Sequence, residues 1–395
     1  MSASGMRRFW FVAYALAAVM AGTNIASPLY NVYEVRFGFS PLVLTVVFAI
    51  YIAVIVPGLL VFGPLADAVG RRPVLIAAIV TGAAASLVLA LAVDVWWLLA
   101  GRVLEGLSFA AAIGTGAAAL VESHPGHAHK LAATVATGAF LGGSAFGPLL
   151  TGLLGEYAPW RLQLTYLVHV VLLAAALWLV ISVDEPLPAS ARRRWRLGRP
   201  AIPNSALATF ARAVAAGGAA GTCGAVYLAL SASYATQLLH TSNLAVIGGI
   251  VGLFLAAGAV SQLTLAGISP RAAAGLGLVA VAAGMLAGAA AGQAQSIALL
   301  ALGAVLAGGG QGIAFRGTLA MVSPLAPASA RADVTSTFYA AIYAAIGSVA
   351  VAIGLVATAA TLSAAIPGFA AGIAVLALVM AVAVARLPAP VRRGT

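Results

Sequence analysis

Arg102 and Glu105 stand three residues apart in an unbroken run of apolar and small residues, 95–121. A guanidinium and a carboxylate at that spacing share one helix face and can neutralise each other. The carboxylate can also take up and release a proton, its affinity set between the neighbouring positive charge and the loss of water. Few other groups in similar settings could do proton chemistry. Glu34 lies near the end of the first apolar run and His169 deep in the sixth. Arg316 sits in the tenth run with no acidic residue within a turn. An arginine so placed faces a cavity or a partner on another helix, where it could attract an anionic group. Asn24, Tyr30, Tyr51, Tyr227, Gln262, Gln311, Phe338, Tyr339 and Tyr343 could line a cavity. Such a largely aromatic wall with sparse polar groups suits amphipathic organic molecules better than sugars.

Other chemistries find little support. The loop His124-Pro125-Gly126-His127-Ala128-His129 holds three imidazoles that could bind zinc or nickel. No nearby cysteine completes the set, so no metal site is expected. Cys223 is the sole cysteine and lies in an apolar run, which rules out an intramolecular disulfide. No phosphate-binding glycine loop and no recognisable nucleophile–base arrangement occur, so neither an enzyme nor an ATP-driven pump is expected.

The elements that position these residues follow from composition. Of the 395 residues, 63% are hydrophobic and only 7% charged, against about 25% charged in a soluble domain. The chain lacks the polar surface to cover itself in water and must span a membrane. Apolar runs fall at 9–33, 41–62, 73–93, 95–121, 131–155, 161–183, 206–238, 244–266, 272–292, 295–322, 333–357 and 362–385. Each is continuous and lacks in/out alternation, so these are helices rather than barrel strands. The spacing predicts an all-α membrane protein of twelve spans. The seventh run exceeds one span and is expected to begin with a surface segment.

Charge orients the spans. Fifteen basic residues fall on one side, among them Arg7, Arg8, Arg71, Arg72, Lys130, the Arg192–Arg199 cluster, Arg271, Arg331 and Arg386, and only Arg36 and Arg161 on the other. Arginine and lysine flanking spans mark the cytoplasmic side. Both termini are therefore expected there, with the net charge of +11 a topological signal rather than a nucleic-acid footprint. Arg7 and Arg8 precede a run too long for a signal core, which reads as a retained first helix. The arginine and alanine bias points to a bacterial inner membrane.

The longest polar stretch, 184–203, holds Arg192-Arg193-Arg194-Trp195-Arg196 and has six spans on either side. It divides the chain into an N-terminal bundle (1–183), a basic cytoplasmic linker and a C-terminal bundle (204–395). The linker arginines suit topology anchoring and contact with anionic lipid. The halves look related: Glu105-Gly106 in the fourth run is echoed by Gln311-Gly312 in the tenth, and Lys130 and Arg331 each open the following run. Gly138, Gly142, Gly143, Gly147 and Gly152 in the fifth run, and Gly308 to Gly310, Gly312 and Gly317 in the tenth, permit close helix approach in lipid.

Between the second and third runs, Gly63-Pro64-Leu65-Ala66-Asp67-Ala68-Val69-Gly70-Arg71-Arg72-Pro73 forms a charged turn joining two antiparallel spans. It resembles the corresponding loop of major facilitator superfamily transporters, G-x-L-a-D-r-x-G-r-[RK], matched by Gly63, Leu65, Asp67, Gly70, Arg71 and Arg72. Gly143, Gly147, Pro148 and Gly152 resemble the family's G-x-x-x-G-P-x-x-x-G element, found especially in drug:proton antiporters. Arg102 and Gly106 match its R-x-x-Q-G motif, with Glu105 in place of the usual glutamine. The second half keeps little of the loop motif at Gly267-Ile268-Ser269-Pro270-Arg271.

The resemblance implies two pseudo-symmetric six-helix bundles with the substrate site between them. It implies that Glu122 pairs with Arg71, that Asp67 faces the start of the eleventh span, and that these contacts latch the cytoplasmic face. The expected function is export of a small amphipathic drug or metabolite in exchange for protons, by a monomer in the lipid bilayer. The alternative is proton-coupled import of a nutrient. Protons are the coupling ion, no cofactor is implied, and Glu105, modulated by Arg102, is the expected proton carrier.

Overall fold

A continuous apolar run in hydrocarbon must satisfy its own backbone, and the helix is the one local way to do so. The computed structural model describes residues 3–124, 129–188, 206–265, 267–325 and 331–386, with positions 190, 192, 194–196 and 202 of the linker. His127, Arg193 and much of the linker lie outside the described residues. Among these residues, twelve helices are long and apolar enough to cross a membrane. The chain is therefore a multi-pass membrane protein.

The first half comprises α1 (Ala3–Gly22), α2 (Tyr30–Phe37), α3 (Pro41–Val69), α4 (Arg71–Ala90), α5 (Val95–Ser123), α6 (His129–Tyr157) and α7 (Leu164–Ile181). The second comprises α8 (Leu207–Gly224), α9 (Ser231–Leu238), α10 (Leu244–Thr264), α11 (Pro270–Gln293), α12 (Ile297–Val322), α13 (Arg331–Ala359) and α14 (Leu362–Ala385). Several starts are capped as their sequences dictate. Ser40, Asp94, Asn243, Ser269 and Ser296 each accept a hydrogen bond from a backbone N–H in the first turn.

Two spans depart from a simple helix. The first run breaks after Gly22: Thr23–Ala26 turn, and Ser27–Leu29 form a single 3-10 turn before α2 resumes. Pro28 lacks the N–H a continuous α-helix would use. The seventh run is helical from Leu207, with a π-helical stretch, Ala225–Leu230, between α8 and α9.

Helices of each half pack mainly among themselves, and the halves meet along α6/α10, α3/α13 and α2/α9. Even crossings return both chain ends to one face, here the terminal face; the opposite one is the far face. The named cross-half hydrogen bonds lie at the far face: Glu34 with Ser233, Glu156 with Leu244, and Leu42 with Thr358.

Candidate functional site

Three elements build the site around Arg102. The α5 helix presents Arg102 and Glu105 on one face, and Arg102 Nη1 donates to Glu105 Oε2 at 2.6 Å. The break in the first span leaves the Thr23 carbonyl without a helical donor, and the same Nη1 reaches it at 3.3 Å. From α3, Tyr51 lays its ring under the guanidinium, 4.3 Å from carbon to centroid. A guanidinium over an aromatic face is stabilised by the ring quadrupole. Arg102 and Glu105 are 2% and 6% exposed, so each charge depends on the other. Arg102 Nε and the Tyr30 hydroxyl are buried without a hydrogen-bond partner among the described residues. Gly106 lets α5 approach α3: a Cβ there would sit 2.8 Å from the Tyr51 carbonyl oxygen.

One turn along α5 from Glu105 an aromatic chain begins. Phe109 meets Tyr51, Phe140 and, across the halves, Tyr343, with centroids 5.7, 5.9 and 6.2 Å away. Tyr343 continues to Tyr339 and thence to Phe338. Phe140, Tyr339 and Tyr343 are partly exposed and Phe338 is fully buried. Phe109 and Phe140, which the sequence did not single out, are thus central.

Other candidates are placed elsewhere. His169 is buried among α1, α4 and α7, with Nε2 2.9 Å from the Ala18 carbonyl and Nδ1 2.7 Å from Ser86 Oγ. A carbonyl only accepts, so Nε2 carries the proton and Nδ1 accepts from the serine. Both nitrogens are hydrogen-bonded within the first half. Tyr227 is spent on the Gly284 carbonyl and stacked on Phe254 inside the second half, which removes it from the seam between halves. Gln311 accepts weakly from Cys223, and Asn24 donates to Thr23 Oγ1. Gln262 is half-buried on α10. Arg316 donates to the Leu265 carbonyl at the C-terminal end of α10, close to the terminal face. Glu34 accepts from Ser233 at 2.9 Å at the far face. A groove of about 410 Å³ between α8, α13 and α14, walled by Val349, Phe369, Ile373 and neighbours, contains none of the candidates.

The charged turn forms one network on the terminal face. Arg71 bonds Asp67 at 2.5 Å and Glu122 at 3.0 Å. Asp67 thus finds a partner within its own turn; the side chains of Arg331 and Ala332 lie outside the described residues. Arg72 holds the carbonyls of Val180 and Ile181 at the end of α7. Glu185, which sequence reasoning left in the linker, accepts from the backbone N–H groups of Arg71 and Arg72 at 2.7 and 2.9 Å. Gly70 has φ +111°, and a Cβ there would meet the Glu185 carboxylate. Gly63 has open space around it.

On α6, a Cβ at Gly143 or Gly147 would strike the carbonyls of Ala17 and Ala21 of α1, and one at Gly152 the Leu244 carbonyl of α10. Pro148 offers its carbonyl to the close approach of Gly248. A Cβ at Gly138 or Gly142 would meet nothing within 4 Å among the described residues. The motif glycines therefore join α6 to the broken first span on one side and to the other half on the other.

The sequence pattern of the Major Facilitator Superfamily matches residues 11–291. The chain belongs to the major facilitator superfamily. Family members are transporters and in general not enzymes, and the twelve helices in two bundles are the family's fold. Among curated relatives, the inner membrane transport protein YnfM of Escherichia coli K12 is 29% identical over 148 residues, 37% of this chain and 35% of that protein. The putative multidrug resistance protein MdtD of Cronobacter sakazakii is 31% identical over 175 residues, 44% of this chain and 37% of that one. The matches thus span little more than a third of those relatives' length. Among solved structures, a D-xylose–proton symporter superposes with a TM-score of 0.76 at 15% identity, covering 98% of both chains. The human organic anion transporter MFSD10 gives 0.70 at 16%, covering 96% of this chain and all of that one. Such likeness establishes the fold alone.

Proposed function

We propose that this major facilitator transporter exports a small amphipathic organic molecule in exchange for protons, with Glu105 as the proton carrier. The observation that carries the reading is the buried Arg102–Glu105 pair, bonded at 2.6 Å and one turn from a partly exposed aromatic chain. Arginine bias assigns the terminal face to the cytoplasm of a bacterial inner membrane. The far-face contacts then make this the inward-facing state, with Glu105 ionised and ion-paired. In the outward-facing state a proton enters on Glu105, the carboxylic acid loosens its hold on Arg102, and the substrate leaves. Return to the inward state lets the proton go, re-forms the pair and readies the aromatic chain for the next substrate. The two bundles, 1–183 and 204–395, move as bodies about the linker 184–203, and the monomer suffices. Asp67, Arg71, Arg72 and Glu122 brace the cytoplasmic ends of α3, α4 and α5.

The name of the multidrug resistance relative MdtD favours efflux over uptake, and a wall built from Tyr51, Phe109, Phe140 and Tyr343 suits an amphipathic substrate. Everted membrane vesicles test the direction. An imposed proton gradient, acid inside, is expected to drive accumulation of ethidium or another amphipathic cation. Accumulation only under the reversed gradient would mark an importer.

A further inference from the structure

The far face is closed by a pair of helix caps exchanged between the halves. A helix start leaves its first backbone N–H groups without partners. In α10 the N-cap Asn243 serves the N–H of Val246, and the first N–H, of Leu244, goes to Glu156 Oε2 of α6 at 2.8 Å. In α3 the N-cap Ser40 serves the N–H of Val43. Pro41 has no N–H, and the first available one, of Leu42, goes to Thr358 Oγ1 of α13 at 2.9 Å. Thus the first half caps a helix of the second, and the second half caps a helix of the first.

The two arrangements correspond in detail. Glu156 is the penultimate residue of α6 and Thr358 the penultimate residue of α13, both helices being 29 residues long. One turn earlier each helix carries a glycine, Gly152 or Gly354, where a Cβ would collide with the capped helix. Close approach and cap therefore form one unit, repeated across the molecule's pseudo-symmetry. The chemistry differs between the copies. Glu156 brings a negative charge to the positive end of the α10 dipole, with Arg161 3.7 Å away. Thr358 brings a neutral hydroxyl.

We infer that Glu156 and Thr358 are positioning residues that hold the far face shut, and that both caps break together when it opens. The inference rests on the alternating-access reading above, but its test needs neither substrate nor proton gradient, so the two can fail separately. Spin labels are placed at exposed positions on both seams, Tyr157 with His240 and Arg36 with Ala360; Cys223 is buried and stays unlabelled. Pulsed electron paramagnetic resonance on the full chain in lipid nanodiscs then gives the ratio of open to closed far face. Loss of a hydrogen bond to a charged group by Glu156→Ala is expected to raise that ratio about tenfold. Loss of a hydroxyl cap by Thr358→Val is expected to raise it about fivefold. Thr358→Ser keeps the cap and is expected to match wild type. The double variant is expected to give the product of the two factors, on both label pairs. Ratios within about twofold of wild type for both substitutions would overturn the inference. So would substitutions that each open only their own seam, or Thr358→Ser behaving like Thr358→Val. Should Glu156→Ala not fold, the Thr358 pair of variants read at the α6/α10 labels decides alone.

Discussion

Replacing Glu105 by glutamine separates proton carriage from packing. The side chain keeps its volume and one carbonyl oxygen, so the 2.6 Å contact with Arg102 survives as a hydrogen bond to a neutral acceptor. Arg102 stays charged and loses its counter-ion, and removing one partner of a buried pair costs about 3–5 kcal/mol. That is a change of roughly 150–5,000-fold in any equilibrium the pair controls. Arg102 retains the Thr23 carbonyl and the Tyr51 ring, and glutamine is the residue the family motif carries there, so the variant is expected to fold. Proton carriage, by contrast, is removed outright. In proteoliposomes, substrate counterflow without a gradient is expected to slow but to persist. Uphill accumulation driven by a proton gradient is expected to vanish. Glu105→Asp, which keeps an ionisable group, is expected to retain part of it. Gradient-driven accumulation by Glu105→Gln at the wild-type level would refute the assignment.

Other perturbations follow from the same geometry. Gly70→Ala forces a side chain into an extended positive-φ conformation, φ +111° and ψ 163°, at a cost of about 1–3 kcal/mol and against the Glu185 carboxylate, so detergent melting is expected to fall, whereas Gly63→Ala is expected to melt as wild type. Gly147→Leu pushes a side chain into the Ala21 carbonyl and is expected to abolish folded, monodisperse protein, while Gly142→Leu leaves it intact by size-exclusion chromatography. His169→Ala strands the Ser86 hydroxyl and the Ala18 carbonyl, costing about 2 kcal/mol or more. It is expected to lower melting and leave the pH profile of transport unmoved; a shifted profile would make His169 a proton carrier.

What the sequence makes legible is what lies close along the chain. The Arg102–Glu105 pair follows from a spacing of three on a helix, and the spans follow from continuous apolar runs that tolerate few alternatives. The break after Gly22 escapes such reading. Thr23 and Ser27 are ordinary residues of a membrane helix, and only Asn24 and Pro28 hint that the backbone is interrupted. The π-helical stretch Ala225–Leu230 of the seventh run also escapes it, because it adds residues without ending the helix or breaking the apolar run. Glu185 was missed because its partners lie more than a hundred residues away, although the requirement for glycine at position 70 was a signal that something approaches there. The glycines of the fifth run form two stripes, and which one packs is decided by neighbours that no spacing identifies. Gly143, Gly147 and Gly152 meet α1 and α10, while Gly138 and Gly142 stay open. Tyr227 lines a small pocket inside the second half rather than the seam between halves, with its hydroxyl on the Gly284 carbonyl, a placement its type alone does not give.

The central claim is that substrate and the Glu105 proton exclude each other in this cycle: substrate binds the ionised, Arg102-paired form, so binding draws the proton off whatever fraction of the protein still carries it. It is tested most directly by mixing ethidium with purified protein in weakly buffered detergent and following a pH indicator. Up to one proton released per binding event by the wild type, rising as the starting pH is lowered, and none by Glu105→Gln at matched occupancy, is the expected result. Equal release from both proteins would contradict it.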